Sequence, residues 1–255
     1  MNNTLKVSIV TAVYNRIETI SDAMASVKEQ NYPNISHVIV DGKSTDGTIN
    51  LIKKIASSSN IIISEPDSGI YDALNKGINI ADGDIIGLLH SDDLFADKFV
   101  VSDIMKEFAN PDVSLVYGDL LYVDKHDTSK VIRRWISGSF SKKKLLMGWM
   151  PPHPTVFIRS SLFKKFGIYD SSFKISADYD AMVRYFQCEI QSNYIPRVLV
   201  RMRVGGASNT SLRNILIKMK EDYSIIKKNN LGGFRTLIWK SLSKIFQFIP
   251  FSQND

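Results

Sequence analysis

Residues 37–48 read HVIVDGKSTDGT, an apolar run followed at once by a polar segment with two aspartates and two glycines. A short apolar run bounded by turn residues predicts a buried β-strand, and the segment after it predicts a turn that leads into a helix. The same pairing recurs along the chain, with strands predicted at 7–13, 37–40, 60–64, 85–89 and 113–118. The alternation predicts an α/β fold with a single Rossmann-like, mostly parallel central sheet flanked by helices.

Helical patterns lie between these strands, at about 15–30, 46–57, 70–81 and 96–109. Asn15 and Glu18 have the spacing of a capping box and predict the start of the first helix. After residue 118 the regularity weakens, and we predict a hairpin at 120–135, a mobile loop at 137–154, a strand at 155–158 and a helix at 181–187. We divide the chain into one domain, residues 1–210, and a C-terminal helical tail, residues 211–255.

The charge of this 255-residue chain is unevenly distributed. The formal net charge is +6, but residues 1–100 carry −5, residues 101–200 carry +4 and residues 201–255 carry +7. The acidic first hundred residues argue against a nucleic-acid partner, which a uniformly basic surface would favour. Cys188 is the single cysteine, which excludes an internal disulfide and favours a cytoplasmic location. No run approaches the roughly 18 apolar residues of a membrane span.

Carboxylates follow the predicted strands where each strand ends. Asp41 follows the second strand, Asp67 lies just after the third, and Asp92 and Asp93 come after the fourth. Each of them alone could be a helix cap or a turn residue. Because the carboxyl ends of parallel strands meet at one edge of the sheet, the set favours a ligand site there. Phosphate-binding glycine motifs are absent, so a bound nucleoside diphosphate would need Mg²⁺ or Mn²⁺ held by Asp92 and Asp93.

Four segments together carry a resemblance to a known family: VSIVTAVYN (7–15), DGKSTDGT (41–48), SEPDSGIYDALNKGI (64–78) and HSDD (90–93). In this order they resemble family 2 glycosyltransferases of the GT-A fold, closest to colanic-acid-type enzymes that build bacterial surface polysaccharides. Further matching segments are HPTVFI (153–158), ADYD (177–180) and VGGAS (204–208), so the resemblance covers about residues 5–210.

The resemblance implies an inverting, metal-dependent hexosyltransferase that uses a nucleotide-diphosphate sugar. Residues 1–117 would bind the UDP- or GDP-sugar and residues 118–210 the acceptor. Asp92 and Asp93 match the motif for Mn²⁺ or Mg²⁺, and Asp178 matches the general base. The implied nucleotide-sugar contacts are Ala12, Tyr14, Asn15, Asp41, Asp67, Lys76 and Asp92. His90 and Ala177 depart from the family pattern, since many relatives carry acids at both positions.

Several alternatives stay open at this point. Asp178 could instead cap the predicted helix, which would leave Asp180 as the base. His153, between two prolines, is either an acceptor contact or a structural loop residue. A sugar nucleotidyltransferase is a rival within the same kind of fold, but it would need a basic glycine-rich loop after the first strand. A non-catalytic membrane or nucleic-acid binding module is a second rival, and it leaves the acidic strand ends unexplained.

The tail contains two amphipathic patterns, at 212–228 and 235–251. The second is basic and rich in aromatic residues, which is typical of a helix lying on an anionic membrane surface. The alternative is that these apolar faces cover the domain, and for 212–228 it is the favoured one. The resemblance implies a lipid-linked saccharide acceptor, so we expect a cytoplasmic protein that is peripheral on the inner face of the cell membrane.

Overall fold

The structure is a computed structural model that describes residues 4–205 and 212–242. The strands within these ranges are β1 Val7–Val13, β2 Ile35–Asp41, β3 Asn60–Ser64, β4 Ile85–Leu88, β5 Leu94–Phe95, β6 Val113–Val123, β7 Val131–Trp135, β8 Phe157–Arg159 and β9 Gln191–Arg203. The helices are α1 Ile20–Lys28, α2 Thr48–Ile55, α3 Ile70–Ile80, α4 Val100–Glu107, α5 Lys142–Leu146, α6 Ser160–Phe166, α7 Ala177–Gln187, α8 Leu212–Lys228 and α9 Phe234–Leu242. A 3₁₀ turn covers His153–Thr155.

One sheet runs through the described part of the chain in the order β3-β2-β1-β4-β8-β6-β9-β5, and β7 pairs with β6. Its first four strands are parallel, and all seven residues of β1 are buried. Val13 pairs with Asp41 at the ends of β1 and β2, and Asp41 pairs with Ser64 at the end of β3. The predicted α/β sheet flanked by helices is therefore confirmed, and its strand ends meet at one edge.

The second half of the sheet is mixed. Strand β8 runs antiparallel to both β4 and β6, whereas β6 and β9 are parallel to each other. The predicted hairpin corresponds to β6 and β7, and the predicted strand at 155–158 corresponds to β8. Strand β9 was not predicted, because its sequence QSNYIPRVLVRMR is interrupted by a proline and contains three arginines.

Two local predictions are wrong. Helix α1 begins at Ile20, and Asn15 adopts a left-handed backbone conformation (φ 51°), so the capping box at Asn15 and Glu18 does not form. The segment 137–154 is not simply a loop, because it contains α5 and the start of the 3₁₀ turn. Ser141 caps α5 by accepting a hydrogen bond from the backbone N–H of Lys144 at 3.3 Å, a contact that favours a short helix.

Helices α8 and α9 pack against the rest of the chain. Ile225, Ile226, Leu231 and Leu237 are buried in the same apolar cluster as core residues of the sheet and of α7. On α8 only the C-terminal end of the apolar face covers the domain, because four apolar residues nearer its N-terminus are exposed: Ile215, Leu216, Met219 and Tyr223. The domain boundary at residue 210 stays a prediction. Residues 243–255, with the end of the second predicted tail helix, lie outside the described residues. No helix in the described ranges is long and apolar enough to cross a membrane.

Candidate active site

Asp41 ends β2 with a fully buried carboxylate. Ser64, at the end of β3, donates its hydroxyl to Oδ2 of Asp41 at 2.6 Å. The backbone N–H of Ser44 lies 3.2 Å and 3.3 Å from the two carboxylate oxygens. These bonds hold the Asp41 carboxylate rigidly at the edge where the parallel strands end.

The loops after β1, β2 and β3 converge beside Asp41. Asn15 donates its backbone N–H to Oγ of Ser44 at 2.9 Å, and its side-chain Oδ1 accepts the N–H of Thr45, also at 2.9 Å. A Cβ at Gly42 would lie 2.3 Å from Oδ2 of Asp67 and 3.4 Å from a ring carbon of Tyr14. Gly42 therefore permits a close approach of Asp67 and Tyr14, and the Tyr14 side chain is exposed.

Two other predicted nucleotide contacts occupy different surroundings. Ala12 is buried within β1, where it pairs with Val40 beneath the strand ends. Lys76, on α3, lies 2.7 Å from the carbonyl oxygen of Pro66, 2.9 Å from Glu65 and 3.5 Å from Asp72. These contacts draw the Lys76 ammonium towards the loop between β3 and α3, and its contact with a diphosphate stays a prediction.

Asp92 and Asp93 lie in the turn after β4, and Arg203 holds that turn. The backbone N–H of Arg203 donates to Oδ1 of Asp93 at 3.2 Å, and its guanidinium donates to the carbonyl oxygen of Asp92 at 2.8 Å. The same guanidinium reaches Oδ2 of Asp22 on α1 at 2.6 Å. Burial raises the pKa of Asp93 well above its usual value, and the neighbouring Asp92 carboxylate adds to this rise.

The donor set at this turn fits a hard divalent cation in part. Oδ2 of Asp93 is buried and has no hydrogen-bond partner among the described residues, and the Asp92 carboxylate is partly exposed. In the described ranges no group of three or more His, Cys, Asp or Glu residues is placed to hold a metal alone. Mg²⁺ in nucleotide enzymes commonly takes one or two carboxylates and completes its coordination with substrate phosphates. The two aspartates therefore fit a cation that arrives with a diphosphate.

Asp178 lies in the first turn of α7 and is partly exposed. Its Oδ1 accepts the N–H of Tyr179 at 2.8 Å and lies 3.2 Å from the hydroxyl of Tyr71, which is also 2.6 Å from the carbonyl oxygen of Ile175. Burial and the Asp178 carboxylate both raise the pKa of Tyr71, so the phenol stays a neutral donor. The phenol has a single proton for both acceptors, and the carbonyl oxygen of Ile175 is the nearer one, so Tyr71 supplies a longer, shared hydrogen bond to the Asp178 carboxylate.

Asp180 has a different environment two residues further on. It is completely buried, 2.7 Å from Nε of Arg184 and 3.6 Å from Nζ of Lys228. A carboxylate enclosed in this way between two cations is typical of a structural ion pair. Of the two candidate bases, Asp178 is the one whose carboxylate is accessible.

Two histidines lie between the aspartate turn and Asp178. The rings of His90 and His153 are 5.9 Å apart, and Nε2 of His153 is 2.7 Å from the hydroxyl of Tyr169. Burial lowers the pKa of His153 to about 4, and it lowers that of His90 against the opposing effect of Asp92 and Asp178. The rings of Tyr169 and Tyr71 are 5.8 Å apart, so side-chain contacts run from His90 through His153, Tyr169 and Tyr71 to Asp178. An acceptor contact of the buried His153 stays a prediction.

Sequence reasoning did not find Tyr71 or Arg203. Arg203 lies 110 residues from Asp93, and the strand that carries it was not predicted. Tyr71 lies within a segment that carries the resemblance. It is 107 residues from Asp178 in sequence, and only the fold brings the two side chains together. No local signal marks either side chain as part of a site.

The chain is similar in sequence to known glycosyltransferases. The sequence model of glycosyl transferase family 2 matches residues 8–175. An uncharacterised glycosyltransferase of Mycobacterium tuberculosis is 33% identical over 187 residues, covering 72% of this chain and 70% of the relative. A PGL/p-HBAD biosynthesis glycosyltransferase of Mycobacterium bovis is 28% identical over 217 residues, covering 83% of this chain and 82% of the relative.

Solved structures show the same fold. Staphylococcus aureus TarS, residues 1–349 in complex with UDP-GlcNAc, superposes with a TM-score of 0.72 at 15% identity, covering 96% of this chain and 73% of that one. A mannosyltransferase of Pyrobaculum calidifontis in complex with GDP-Man and Mn²⁺ superposes with a TM-score of 0.67 at 15% identity, covering 96% and 75%. With its family match over residues 8–175 and this architecture, the chain belongs to glycosyltransferase family 2 and has the GT-A fold.

Proposed function

We propose that this glycosyltransferase moves a sugar from a UDP- or GDP-sugar to a saccharide hydroxyl with inversion, and that Asp178 is the general base. The observation that carries the proposal is the placement of Asp178, whose carboxylate is accessible and lies 3.2 Å from the Tyr71 hydroxyl. Contacts of Tyr71 with Tyr169, of Tyr169 with His153 and of His153 with His90 link Asp178 to the turn that carries Asp92. The buried ion pairs of Asp180 argue against the alternative base.

The chemistry is a single displacement. The Asp178 carboxylate takes the proton of the acceptor hydroxyl, whose oxygen forms a bond to the anomeric carbon. The bond from that carbon to the diphosphate oxygen breaks, and the nucleoside diphosphate leaves with the electron pair. General-base assistance of this kind contributes roughly 10²–10⁴-fold to a rate where the geometry allows it. A single attack from one face inverts the anomeric centre.

The donor is held at the edge where the strands end. Tyr14, Asn15, Asp41 and Asp67 would contact the nucleotide, with Ala12 forming the floor beneath them. Asp92 and Asp93 would hold Mn²⁺ or Mg²⁺, which when bound neutralises charge on the departing diphosphate. Structural neighbours in complex with UDP-GlcNAc, and with GDP-Man and Mn²⁺, support a nucleotide-sugar donor and a metal. Lys76 would approach the same diphosphate.

We further propose that the enzyme works at the cytoplasmic face of the cell membrane on a lipid-linked saccharide. Four exposed apolar side chains of α9, which we name the α9 patch, support this: Phe234, Ile238, Trp239 and Leu242. Helix α5 adjoins α9, since the hydroxyl of Thr236 donates to the carbonyl oxygen of Leu146 at 2.9 Å. Exposed Leu146 and the three lysines of α5 extend the patch with an apolar and basic edge suited to anionic lipid.

The test of the reaction is Asp178→Asn, which keeps the size of the side chain and removes the base. We expect transfer to fall by at least about 10²-fold, while the affinity for UDP or GDP with Mn²⁺, measured by calorimetry, stays within about twofold, a change worth only about 0.4 kcal/mol. Glu189→Gln, an exposed carboxyl just after α7, is the matched control and should change neither quantity. Transfer at near the wild-type rate by the Asp178→Asn protein would exclude Asp178 as the base. Absence of metal-dependent binding of either nucleotide would exclude the proposed donor site.

A further inference from the structure

The carboxylate of Glu221 on helix α8 contacts the loop that precedes Asp178. Oε1 of Glu221 accepts the backbone N–H of Lys174 at 2.8 Å, and Oε2 accepts the N–H groups of Ile175 and Ser176, both at 2.9 Å. These are three consecutive backbone donors, and hydrogen bonds to an ionised acceptor are stronger than bonds between neutral groups. Glu221 thus fixes the conformation of residues 174–176.

The loop at residues 174–176 is connected to the proposed base in two ways. Ser176 is directly followed by α7, whose second residue is Asp178. The carbonyl oxygen of Ile175 is 2.6 Å from the Tyr71 hydroxyl, which is 3.2 Å from Asp178. A shift of this loop therefore moves the start of α7 and the phenol that contacts the carboxylate.

Helix α8 is itself held against α7. Asp222, next to Glu221, is 2.7 Å from the ammonium of Lys240 on α9, and this ammonium lies 3.2 Å from the centre of the Tyr179 ring. Tyr179 is the neighbour of Asp178 in sequence. Glu221 and the Asp222–Lys240 pair therefore secure the two sides of the turn that carries the base.

We propose that Glu221 is a positioning residue for the general base, so that the C-terminal helix α8 is part of the catalytic machinery in addition to covering the core. The inference rests on the proposed role of Asp178. A misplacement of about 1 Å at a reacting group can cost 10²-fold in rate. Replacing one carboxylate oxygen of Glu221 by an amide nitrogen leaves a single acceptor oxygen for the three backbone N–H groups of residues 174–176, and this loss loosens the loop.

The test is Glu221→Gln, which keeps the shape but places an amide donor opposite backbone N–H groups. We expect kcat to fall by about 10- to 100-fold, with the donor KM and the affinity for the nucleotide with Mn²⁺ nearly unchanged. Glu221→Asp keeps the charge on a shorter side chain and should recover part of the loss. Lys220→Gln, at the exposed neighbouring position, is the matched control and should keep the wild-type kcat. Equal kcat for Glu221→Gln and wild type overturns the proposal.

A double-mutant cycle separates this proposal from that of the base. If Glu221 acts through Asp178, then Glu221→Gln should lower the residual rate of the Asp178→Asn enzyme by less than about twofold, because groups that act as a unit are non-additive. Multiplicative losses would place the effect of Glu221 elsewhere and overturn the inference. A nearly active Asp178→Asn enzyme would instead refute the proposed base. If Glu221→Gln does not fold, the same cycle is measured with Glu221→Asp. Rate losses of the two single variants that multiply in this double variant overturn the inference too.

Discussion

Replacing Lys240 by methionine should loosen the C-terminal helices from the rest of the protein. The Lys240 and Asp222 side chains are 4% and 7% exposed, and their charged atoms lie 2.7 Å apart. Methionine matches the length and the apolar stem of lysine but removes the charge. The buried Asp222 carboxylate then faces Lys218, at 3.7 Å, whose side chain is 25% exposed.

The expected loss follows from this geometry. Removing one partner of a buried ion pair costs about 3–5 kcal/mol, because the remaining charge stays buried without compensation. Lys218 supplies part of that compensation, so we expect a loss of about 3 kcal/mol, at the lower end of that range. For a domain of this size the loss corresponds to a fall in Tm of about 6–12 °C.

Urea unfolding of Lys240→Met, Asp222→Leu and the double variant measures the effect. Each single variant should lose stability, whereas the double variant should recover most of it, since apolar pairs often replace buried ion pairs at little cost. The matched control is Lys227→Met, at an exposed position on α8, which should stay within about 0.5 kcal/mol of wild type. A loss below about 1 kcal/mol in Lys240→Met, or fully additive losses in the double variant, would falsify the reasoning.

The pair also predicts a dependence on pH. Burial opposes ionisation of Asp222, but the ammonium groups of Lys240 and Lys218 outweigh it and hold the pKa of this carboxyl below its usual value. A carboxyl whose folded pKa is depressed contributes stability above its unfolded pKa, and this contribution is lost as the pH falls through the folded value. In Lys240→Met the burial of Asp222 is no longer opposed by Lys240, so the pKa of this carboxyl rises and its protonation relieves the variant. The difference in stability between the two proteins should therefore be constant near pH 7, begin to shrink at that raised pKa as the pH falls, and shrink further below about pH 4.

Two further predictions concern the donor pocket and the α9 patch. Gly42→Ala should weaken binding of the nucleotide by about tenfold in calorimetry, or about 1.4 kcal/mol, because the new Cβ would lie 2.3 Å from Oδ2 of Asp67. The control is Gly233→Ala, where a Cβ meets no atom within 4 Å. Unchanged affinity of Gly42→Ala would refute the close approach of Asp67. The double variant Ile238→Ser/Trp239→Ser should reduce co-sedimentation with anionic vesicles by at least about fivefold relative to wild type, a loss of about 1 kcal/mol. Ile80→Ser, at another exposed apolar position, is the control and should sediment like wild type. Equal sedimentation of all three proteins would rule out docking through the patch.

The acidic edge of the sheet was predictable from the sequence because local pattern and topology agree there. Continuous apolar runs are typical of strands buried on both faces, and parallel pairing brings their carboxyl ends together. The observed pairing of Val13 with Asp41 and of Asp41 with Ser64 is the direct result. The ligand role of Asp41 could thus be proposed without knowledge of its hydrogen bonds, although the serines that hold it could not.

Other parts of the site depend on long-range contacts that leave no local pattern. Asn15 has the spacing of a helix cap, yet its side chain binds the N–H of Thr45 in the next loop, and this tertiary contact overrides the local preference. Arg203 lies on β9, whose polar and charged residues interrupt the alternation of apolar and polar residues that is typical of a strand. Glu221 looks like an ordinary exposed residue of an amphipathic helix until the fold brings three backbone donors to it.

Several basic residues of the C-terminal region form ion pairs within the protein, and the proposed contact with a membrane would involve the others. Of the cations counted in residues 201–255, Arg203 pairs with Asp22, Lys240 and Lys218 pair with Asp222, and Lys228 lies near Asp180. These groups stabilise the fold, so they contribute less to attraction by anionic lipid than the net charge suggests. In the proposed membrane-bound state, the apolar α9 patch would then supply much of the binding free energy, because exposed charges are screened by salt.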